Sequence, residues 1–243
     1  MQHHLRHIHK AISTPEYFKI LILRTIGNFL ILSSCFMIGK TFYEPIKQEA
    51  RYFIDRQTQK EYLVGTQEDK EVIENSETVP KNLLANLFKV KPVEVLVPAD
   101  PEFSIVIPKI GANAKVLPNV DPADDKVYLD ALKQGVAHAS GTAFPGEEGH
   151  IFLFAHSTDY VWNVSTYNAI FYLLNKLEAN DEINIFYKGR RHVYKVIKKE
   201  IIDPTQVEYL TRKTNKEFLT LQTCWPPGTT LQRMLVYAVP VSD

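Results

Sequence analysis

A long apolar segment near the N-terminus constrains this chain more than any other feature. Residues 20–39 are apolar throughout, with Arg24 and Asn28 as the only strongly polar interruptions. A helix of about 20 such residues is long enough to cross the hydrocarbon core of a bilayer. The segment is too long for a signal-peptide core, and no small-x-small cleavage motif follows Gly39. It therefore predicts a single uncleaved transmembrane signal anchor, and a buried core helix is the poorer alternative.

The charges on either side of the anchor predict its orientation. Basic residues dominate before it, at Arg6, Lys10 and Lys19 against the single acid Glu16, whereas acidic and basic residues are mixed after it. Cytoplasmic flanks of membrane helices carry an excess of positive charge. We therefore expect residues 1–19 to be a cytoplasmic tail and the rest of the chain to lie outside the cell membrane.

The remaining chain divides by composition. Residues 40–102 are expected to form a stalk and linker, because a mixed-charge, helix-like stretch is followed by an acidic, polar and aromatic-poor one. From residue 103 to residue 243, short apolar runs alternate with turn signals, and Ile170, Leu173, Leu174 and Leu177 have the spacing of one amphipathic helix. Many short strands with one or two helices predict a mainly β fold, a closed or nearly closed barrel.

The cysteine count singles out Cys224. Cys35 lies in the predicted anchor, so Cys224 has no partner for an intrachain disulfide. Because side chains alternate along a strand, Thr220, Gln222 and Cys224 share one face, opposite Leu219 and Leu221. The thiol is therefore expected at an accessible strand end.

Arg233 is expected beside this thiol. Pro226 and Pro227 end strand pairing after Trp225, and a return strand beginning near Gln232 brings Arg233 back to Cys224. A nucleophilic cysteine needs nearby positive charge, donors for an oxyanion and a histidine to carry protons. Arg233 has the charge and the donors.

The proton carrier must be one of eight histidines. His3, His4, His7 and His9 precede the anchor and lie on the wrong side of the membrane. His192 follows a hairpin turn among basic residues and is expected at the surface, while His150 is left undetermined. The residues alone leave both His156, at the end of an apolar run, and His138, among small residues, as candidates.

Several motifs resemble the sortases, a family of membrane-anchored cysteine transpeptidases. "TLQTC" at 220–224 followed by Arg233 is similar to the family's TLxTC…R signature. "IPKIG" at 107–111, "GVAHASGTAFPGEEGHIFLFAH" at 135–156 and "NDEI" at 180–183 resemble further segments in the same order. Asn180 stands where the family usually has glycine, and asparagine also tolerates the left-handed conformation.

The resemblance implies an eight-stranded sortase-like β-barrel with Cys224 as nucleophile, His156 as general acid/base and Arg233 stabilising the oxyanion. It implies cleavage of an LPxTG-like sorting signal in secreted proteins through a thioester, then transfer to an amine of the cell wall or a pilin at the cell surface. We expect Thr223, Trp225 and His138 to contact substrate. Neither a metal nor a cofactor is expected, and the balance of 28 basic and 28 acidic residues predicts no nucleic-acid partner.

Two alternatives remain open at this level. A membrane-anchored cysteine peptidase, which is a hydrolase, would use the same residues with water as the acceptor. A non-enzymatic extracytoplasmic β-barrel binding domain would leave Cys224, His156 and Arg233 as packing residues far from one another.

Overall fold

The computed structural model describes residues 14–76, 92–157, 170–210 and 212–241. The chain divides into two compact units, residues 1–44 and residues 45–243. The described part of the first unit is helical, and all of the described strands belong to the second.

The N-terminal helix, α1, runs from Thr14 to Gln57. Within it, Pro15–Lys40 is long and apolar enough to cross a membrane, by length and composition. Large apolar side chains of this stretch, such as Leu23 and Leu32, are exposed instead of being packed on other described residues. This exposure argues against a buried core helix and agrees with the apolar helix predicted from the sequence.

Short elements lie between α1 and the barrel. Strand β1 (Glu61–Val64) pairs in parallel with β2 (Val93–Leu96), and helix α2 (Gln67–Ser76) comes between them in the chain. The end of α1 belongs to the second unit, within which Arg51 Nη2 donates to the carbonyl of Ile110 at 2.9 Å and Tyr62 donates to Asp55 Oδ2 at 2.7 Å. Val93–Leu96, which lies within the expected stalk and linker, is thus a strand.

Eight strands close into a barrel. They are β3 (Phe103–Ile107), β4 (Ala112–Val120), β5 (Val136–Ala139), β6 (His150–Phe154), β7 (Glu182–Tyr187), β8 (Arg190–Ile202), β9 (Phe218–Trp225) and β10 (Gln232–Pro240). Their order around the barrel is β10, β8, β7, β3, β4, β5, β6, β9, and the β4–β5 and β6–β9 pairs are parallel. The predicted closed eight-stranded barrel is confirmed.

Two apolar clusters occupy the two faces of the barrel wall. The interior cluster takes alternate residues of β6 and β9, namely Ile151, Leu153, Leu219 and Leu221. The outer cluster takes Phe152 and Phe154 of β6 with Leu235 and Tyr237 of β10, and helix α3 (Asp125–Gln134) and Tyr209 cover it. Because strand side chains alternate, Thr220, Gln222 and Cys224 project from the outer face, as predicted.

The prediction of an amphipathic helix over residues 170–177 is wrong. The structure has only a 3₁₀ turn, Leu174–Lys176, in this stretch. Phe171, Leu174 and Leu177 are fully buried. Their spacing of three residues matches the period of a 3₁₀ turn, so a short turn buries the side chains that the sequence assigned to a longer helix.

Residues with a left-handed backbone conformation occupy the turns before and after β7. Lys188 and Gly189, which connect β7 to β8, both have positive φ, as a two-residue type I′ hairpin requires. Asn180 has a φ of 73°, so asparagine takes the left-handed position before β7.

Candidate active site

Cys224 and Arg233 lie directly opposite each other on the paired strands β9 and β10. Arg233 is two residues before Leu235 of the outer cluster, so its side chain leaves the same face as Cys224. Opposed residues in an antiparallel pair have Cβ atoms about 4.5–5.5 Å apart. The expected return of Arg233 to the side of Cys224 is therefore confirmed at the level of strand register.

His156 approaches Cys224 from the other neighbouring strand. The last register pair of β6 and β9 is Phe154 with Gln222, and His156 and Cys224 each lie two residues beyond it. Alternation places Cys224 on the outer face, and His156 follows Ala155, which belongs to the interior cluster, just past the end of β6. Neighbouring strands are about 4.8 Å apart. Cys224 is thus flanked by the β6 end that carries His156 and by the β10 start that carries Arg233.

Two hydrogen bonds keep β6 and β9 together beyond their last register pair. The Ala155 amide donates to the carbonyl of Gln222 at 3.1 Å, and Thr223 Oγ1 donates to the carbonyl of Ala155 at 2.9 Å. The carbonyl of His156 also accepts from the Phe171 amide at 3.4 Å. These contacts fix the backbone on both sides of His156.

The thiol of Cys224 is half-buried, and two opposite effects act on its pKa. Burial raises the pKa of Cys224 above its ordinary value, and the guanidinium of Arg233 acts in the opposite direction. Desolvation is the larger effect, so the thiol is protonated at neutral pH. Arg233 Nη1 meanwhile donates to the carbonyls of Thr230 and Gln232 at 3.1 and 3.2 Å, which holds the guanidinium at the β9–β10 connection.

Tyr209 is a neighbour of this site that the sequence did not reveal. It lies between β8 and β9 in the chain, is 9% exposed, and packs on Phe152 with ring centroids 5.7 Å apart. Burial raises the pKa of Tyr209, Arg233 lowers it, and Cys224 raises it further. The phenol therefore interacts electrostatically with both residues. No motif surrounds Tyr209, and only the fold brings it to the outer face of β6 and β9.

His138 is part of the barrel interior. It is fully buried on the interior face of β5, and its ring stacks on Phe144 at 4.4 Å. The Asn119 amide donates to Nδ1 at 3.4 Å, so Nε2 carries the proton and donates to the carbonyl of Ala143 at 3.0 Å. The interior face is opposite to that of Cys224. This placement does not support the expected contact between His138 and substrate.

Thr223 and Trp225, the other two expected substrate contacts, differ in how far their side chains are buried. Thr223 is 2% exposed and its hydroxyl is engaged by Ala155, so it holds the backbone and presents no free group to a ligand. Trp225 is half-buried at the end of β9, next to Cys224. A substrate contact by Trp225 stays a prediction.

His150, whose role the sequence left undetermined, is a buried packing residue. It is 5% exposed, Nε2 lies 2.8 Å from Thr220 Oγ1, and its ring contacts Phe152 edge-on. Burial lowers the pKa of His150 to about 4, and the charge of Arg212 contributes. The imidazole is therefore neutral at physiological pH.

A cavity of about 710 Å³ lies apart from these residues. Residues of β1, the 3₁₀ turn Pro108–Ile110 and the start of β7 line it, together with Asp69, Val95 and Arg191. Neither Cys224, His156 nor Arg233 is among its lining residues. The cavity therefore belongs to the packing of the N-terminal elements on the barrel and not to the thiol site.

Comparison with known proteins identifies the family. Residues 105–241 match the Sortase domain family model, which is more than half of the chain. The chain belongs to the sortase family. The resemblance inferred from the "TLQTC" motif and its companions is therefore confirmed, and the class of sortase is not assigned.

This sortase is similar to several known proteins. Sortase D of Bacillus subtilis (strain 168) is 28% identical over 139 residues, which are 56% of this chain and 62% of that protein. The match thus spans less than two thirds of the relative. Sortase C-1 from Actinomyces oris is 28% identical, with 60% of this chain and 76% of that chain covered and a TM-score of 0.48. Sortase A from Corynebacterium diphtheriae, a lid mutant, is 26% identical, with 59% and 72% covered and a TM-score of 0.48.

Proposed function

We propose that this sortase is a membrane-anchored transpeptidase that cleaves an LPxTG-like sorting signal through a thioester on Cys224 and transfers the acyl group to an amine. The observation that carries the proposal is the placement of Cys224 on the outer face of the barrel, between the strand end that bears His156 and the strand start that bears Arg233. A packing role for all three residues would not need them at one end of three adjacent strands.

In the first half of the proposed reaction, the Cys224 thiolate attacks the carbonyl carbon of the scissile peptide bond. Because the resting thiol is protonated, its proton must first go to a base, and His156 is the histidine on the adjacent strand end. The guanidinium of Arg233 donates to the oxyanion that forms. The C–N bond then breaks, His156 returns the proton to the leaving amine, and the acyl group remains on Cys224 as a thioester.

In the second half, an amine attacks the thioester carbonyl. His156 takes a proton from the attacking nitrogen, the C–S bond breaks, and the product is a new amide bond. A thioester keeps the acyl group activated, which suits a transfer that waits for its second substrate. The proposed acceptors are an amine of a cell-wall precursor or a pilin-type subunit.

The apolar helix within α1 supports the proposed location. We propose a cytoplasmic tail over residues 1–19, a membrane anchor over residues 20–39, a stalk and linker over residues 40–102 and an extracytoplasmic catalytic barrel over residues 103–243. Secreted proteins with a C-terminal sorting signal would pass the same membrane. Tethering the enzyme there raises the effective concentration of its substrates.

The test uses the full-length protein in detergent and a library of LPxTG-like peptides, with and without an added short amine acceptor. We expect a covalent acyl adduct on Cys224 by intact-mass analysis, and an amide product whose mass includes the acceptor. Cys224→Ala should abolish both, whereas the matched variant Cys35→Ser, which changes the other cysteine, should retain both. Turnover by Cys224→Ala would contradict the nucleophile assignment. Hydrolysis alone in abundant amine would favour the peptidase.

A further inference from the structure

His156 lies just past the end of β6, outside the strand ladder. Two hydrogen bonds tie the preceding residue, Ala155, to β9. On the other side, the carbonyl of His156 accepts from the amide of Phe171 at 3.4 Å. The position of the His156 backbone therefore depends on where Phe171 is held.

Phe171 belongs to the 170–177 turn, which packs into the barrel interior. The Leu174 amide donates to the carbonyl of Phe171 at 3.1 Å, and both side chains are fully buried in the interior cluster. Strand β8 also contacts this turn, because Lys199 Nζ donates to the carbonyl of Asn175 at 2.7 Å. Phe171 is therefore fixed only as well as the turn is fixed.

The C-terminal end of α1 contacts the same turn through Lys176. Lys176 Nζ lies 3.1 Å from Glu49 Oε2 and 5.5 Å from the centroid of the Tyr52 ring. Tyr52 itself is partly buried and packs against the interior cluster. Burial and the charge of Glu49 both raise the pKa of Tyr172, so Glu49 is close to a second residue of the turn. The end of α1 is thus part of the support of the 170–177 turn.

Among these contacts, the ring of Tyr52 contributes more than the ion pair. The side chains of Lys176 and Glu49 are 29% and 45% exposed, and an ion pair open to solvent stabilises little. A ring that packs on apolar residues beneath an ammonium group stabilises through both apolar burial and cation–π attraction. Loss of the Tyr52 ring should therefore loosen the turn most.

We propose that Tyr52 is a positioning residue for His156: its ring holds Lys176 and the 170–177 turn in place, and the hydrogen bond from the Phe171 amide then fixes where His156 stands relative to Cys224. The inference rests on the proposed function, in which His156 takes the proton of Cys224 and returns it to the leaving amine. Proton transfer needs the two groups within hydrogen-bond reach. A displaced His156 therefore slows the chemical step and leaves substrate binding nearly unchanged.

The test measures steady-state transpeptidation by the full-length protein in detergent. Tyr52→Ala should lower kcat about tenfold and change KM by less than about twofold. Tyr52→Phe keeps the ring and should keep the wild-type kcat. The matched control is Phe53→Ala, which removes the next ring on α1. Phe53 is 62% exposed, so this variant should also keep the wild-type kcat.

A second pair of variants keeps the test decisive if Tyr52→Ala folds poorly. Lys176→Met removes the charge that contacts Glu49 and Tyr52 and keeps a long side chain, so it should also lower kcat at constant KM. Lys176→Arg keeps the charge over the ring and should retain the wild-type kcat.

Alkylation of Cys224 by iodoacetamide, in a Cys35→Ser background, separates positioning of His156 from a general loosening of the site. The pKa of Cys224 depends on its burial and on Arg233. The pH midpoint of alkylation should therefore be the same in Tyr52→Ala as in the wild type, although kcat falls.

The outcomes separate this inference from the proposed function. A wild-type kcat in folded Tyr52→Ala and Lys176→Met, with turnover that still requires Cys224, overturns the positioning role and leaves the transpeptidase intact. A raised KM at unchanged kcat, or a shifted alkylation midpoint, also overturns it. Absence of any Cys224-dependent turnover in the wild type contradicts the proposed function itself.

Discussion

Thr223 Oγ1 donates a hydrogen bond of 2.9 Å to the carbonyl of Ala155. Thr223 immediately precedes Cys224, and Ala155 immediately precedes His156. The bond therefore joins the two chain segments that carry the proposed nucleophile and proton carrier, one residue beyond their last register pair. It fixes the separation of these segments at the point where the strand ladder no longer does so.

Thr223→Val should separate this positioning role from a role in substrate binding. Valine keeps the shape and burial of threonine but leaves the buried carbonyl of Ala155 without its donor. We expect the free energy of unfolding to fall by about 1–2 kcal/mol. We also expect kcat to fall about tenfold with little change in KM, because the loss acts on the relative position of His156 and Cys224.

The matched control is Thr223→Ser, which keeps the hydroxyl and removes the methyl group. Its kcat should stay close to that of the wild type. Urea unfolding and steady-state kinetics on both variants provide the measurements. If Thr223→Val raised KM and left kcat unchanged, Thr223 would be a substrate contact after all.

Arg233 should set the pH at which Cys224 becomes reactive. Its charge lowers the pKa of the thiol, against the larger raising effect of burial. Removing the charge in Arg233→Gln should therefore raise the pKa of Cys224 further. The midpoint of the pH dependence of iodoacetamide alkylation should move to higher pH, and kcat/KM should fall by about 10²-fold or more as the oxyanion donors are lost.

Arg233→Lys distinguishes charge from geometry, because lysine keeps the charge without the planar fork. Its alkylation midpoint should stay near that of the wild type, while its kcat/KM still falls. All alkylation rates are measured in a Cys35→Ser background so that Cys224 is the only thiol. An unchanged midpoint in Arg233→Gln would show that the two side chains do not interact.

The core of the site was predictable because it depends on strand periodicity alone. Alternation puts Cys224 on the face opposite Leu219 and Leu221, and two prolines require a return that pairs Gln232 with Trp225. These are local rules, and the structure follows them. The position of His156 needed more than local rules, because the parallel β6–β9 pairing joins residues about 70 positions apart.

The features that escaped prediction depend on packing. All four residues of β5 are buried, so periodicity does not reveal whether His138 faces the interior or the outer cluster. Tyr209 reaches the outer face of β6 only through the course of the chain between β8 and β9, which has no motif. The three-residue spacing of Phe171, Leu174 and Leu177 fits both a helix face and a 3₁₀ turn, and tertiary packing decides between them.

His150 should make the barrel sensitive to acid. Its pKa is lowered from 6.5 to about 4 in the folded protein by burial and by Arg212, whereas the unfolded chain keeps the ordinary value. Between these two values the unfolded state binds a proton that the folded state does not. The contribution of His150 to stability is therefore complete above pH 6.5 and is lost as the pH falls toward 4.

The variant His150→Gln should flatten this dependence, since glutamine does not titrate and still reaches Thr220 with a polar group. Urea unfolding at several pH values between 4 and 8, followed by tryptophan fluorescence, measures the difference. The wild type should lose on the order of 1–3 kcal/mol more than the variant across that range. His138, whose pKa burial also lowers, is present in both proteins and cancels. If the free energy of unfolding depended on pH in the same way in both proteins, His150 would have the same pKa in the folded and unfolded states.

Tyr194 and Glu217 should stabilise the barrel without affecting the reaction. Tyr194 is fully buried and donates to Glu217 Oε1 at 2.5 Å, and the Gly146 amide donates to the same oxygen at 2.8 Å. Burial and the neighbouring Glu217 raise the pKa of Tyr194 far above its ordinary value, so the hydroxyl stays a donor at all accessible pH. Hydrogen bonds to charged groups contribute about 1.5–3 kcal/mol.

Tyr194→Phe removes only this donor, and the free energy of unfolding should fall by about 1.5–3 kcal/mol. In a double-mutant cycle with Glu217→Gln, most of this loss should appear as coupling between the two sites. The matched control is Tyr172→Phe, a half-buried tyrosine that packs against the same interior cluster. The kcat/KM value of Tyr194→Phe should be unchanged, because Tyr194 is far from the thiol site. It lies eight residues along β8 from Ile202, the register partner of Arg233, and eight strand residues span about 26 Å. A fall in kcat/KM at full stability would instead connect this end of the barrel to the thiol site.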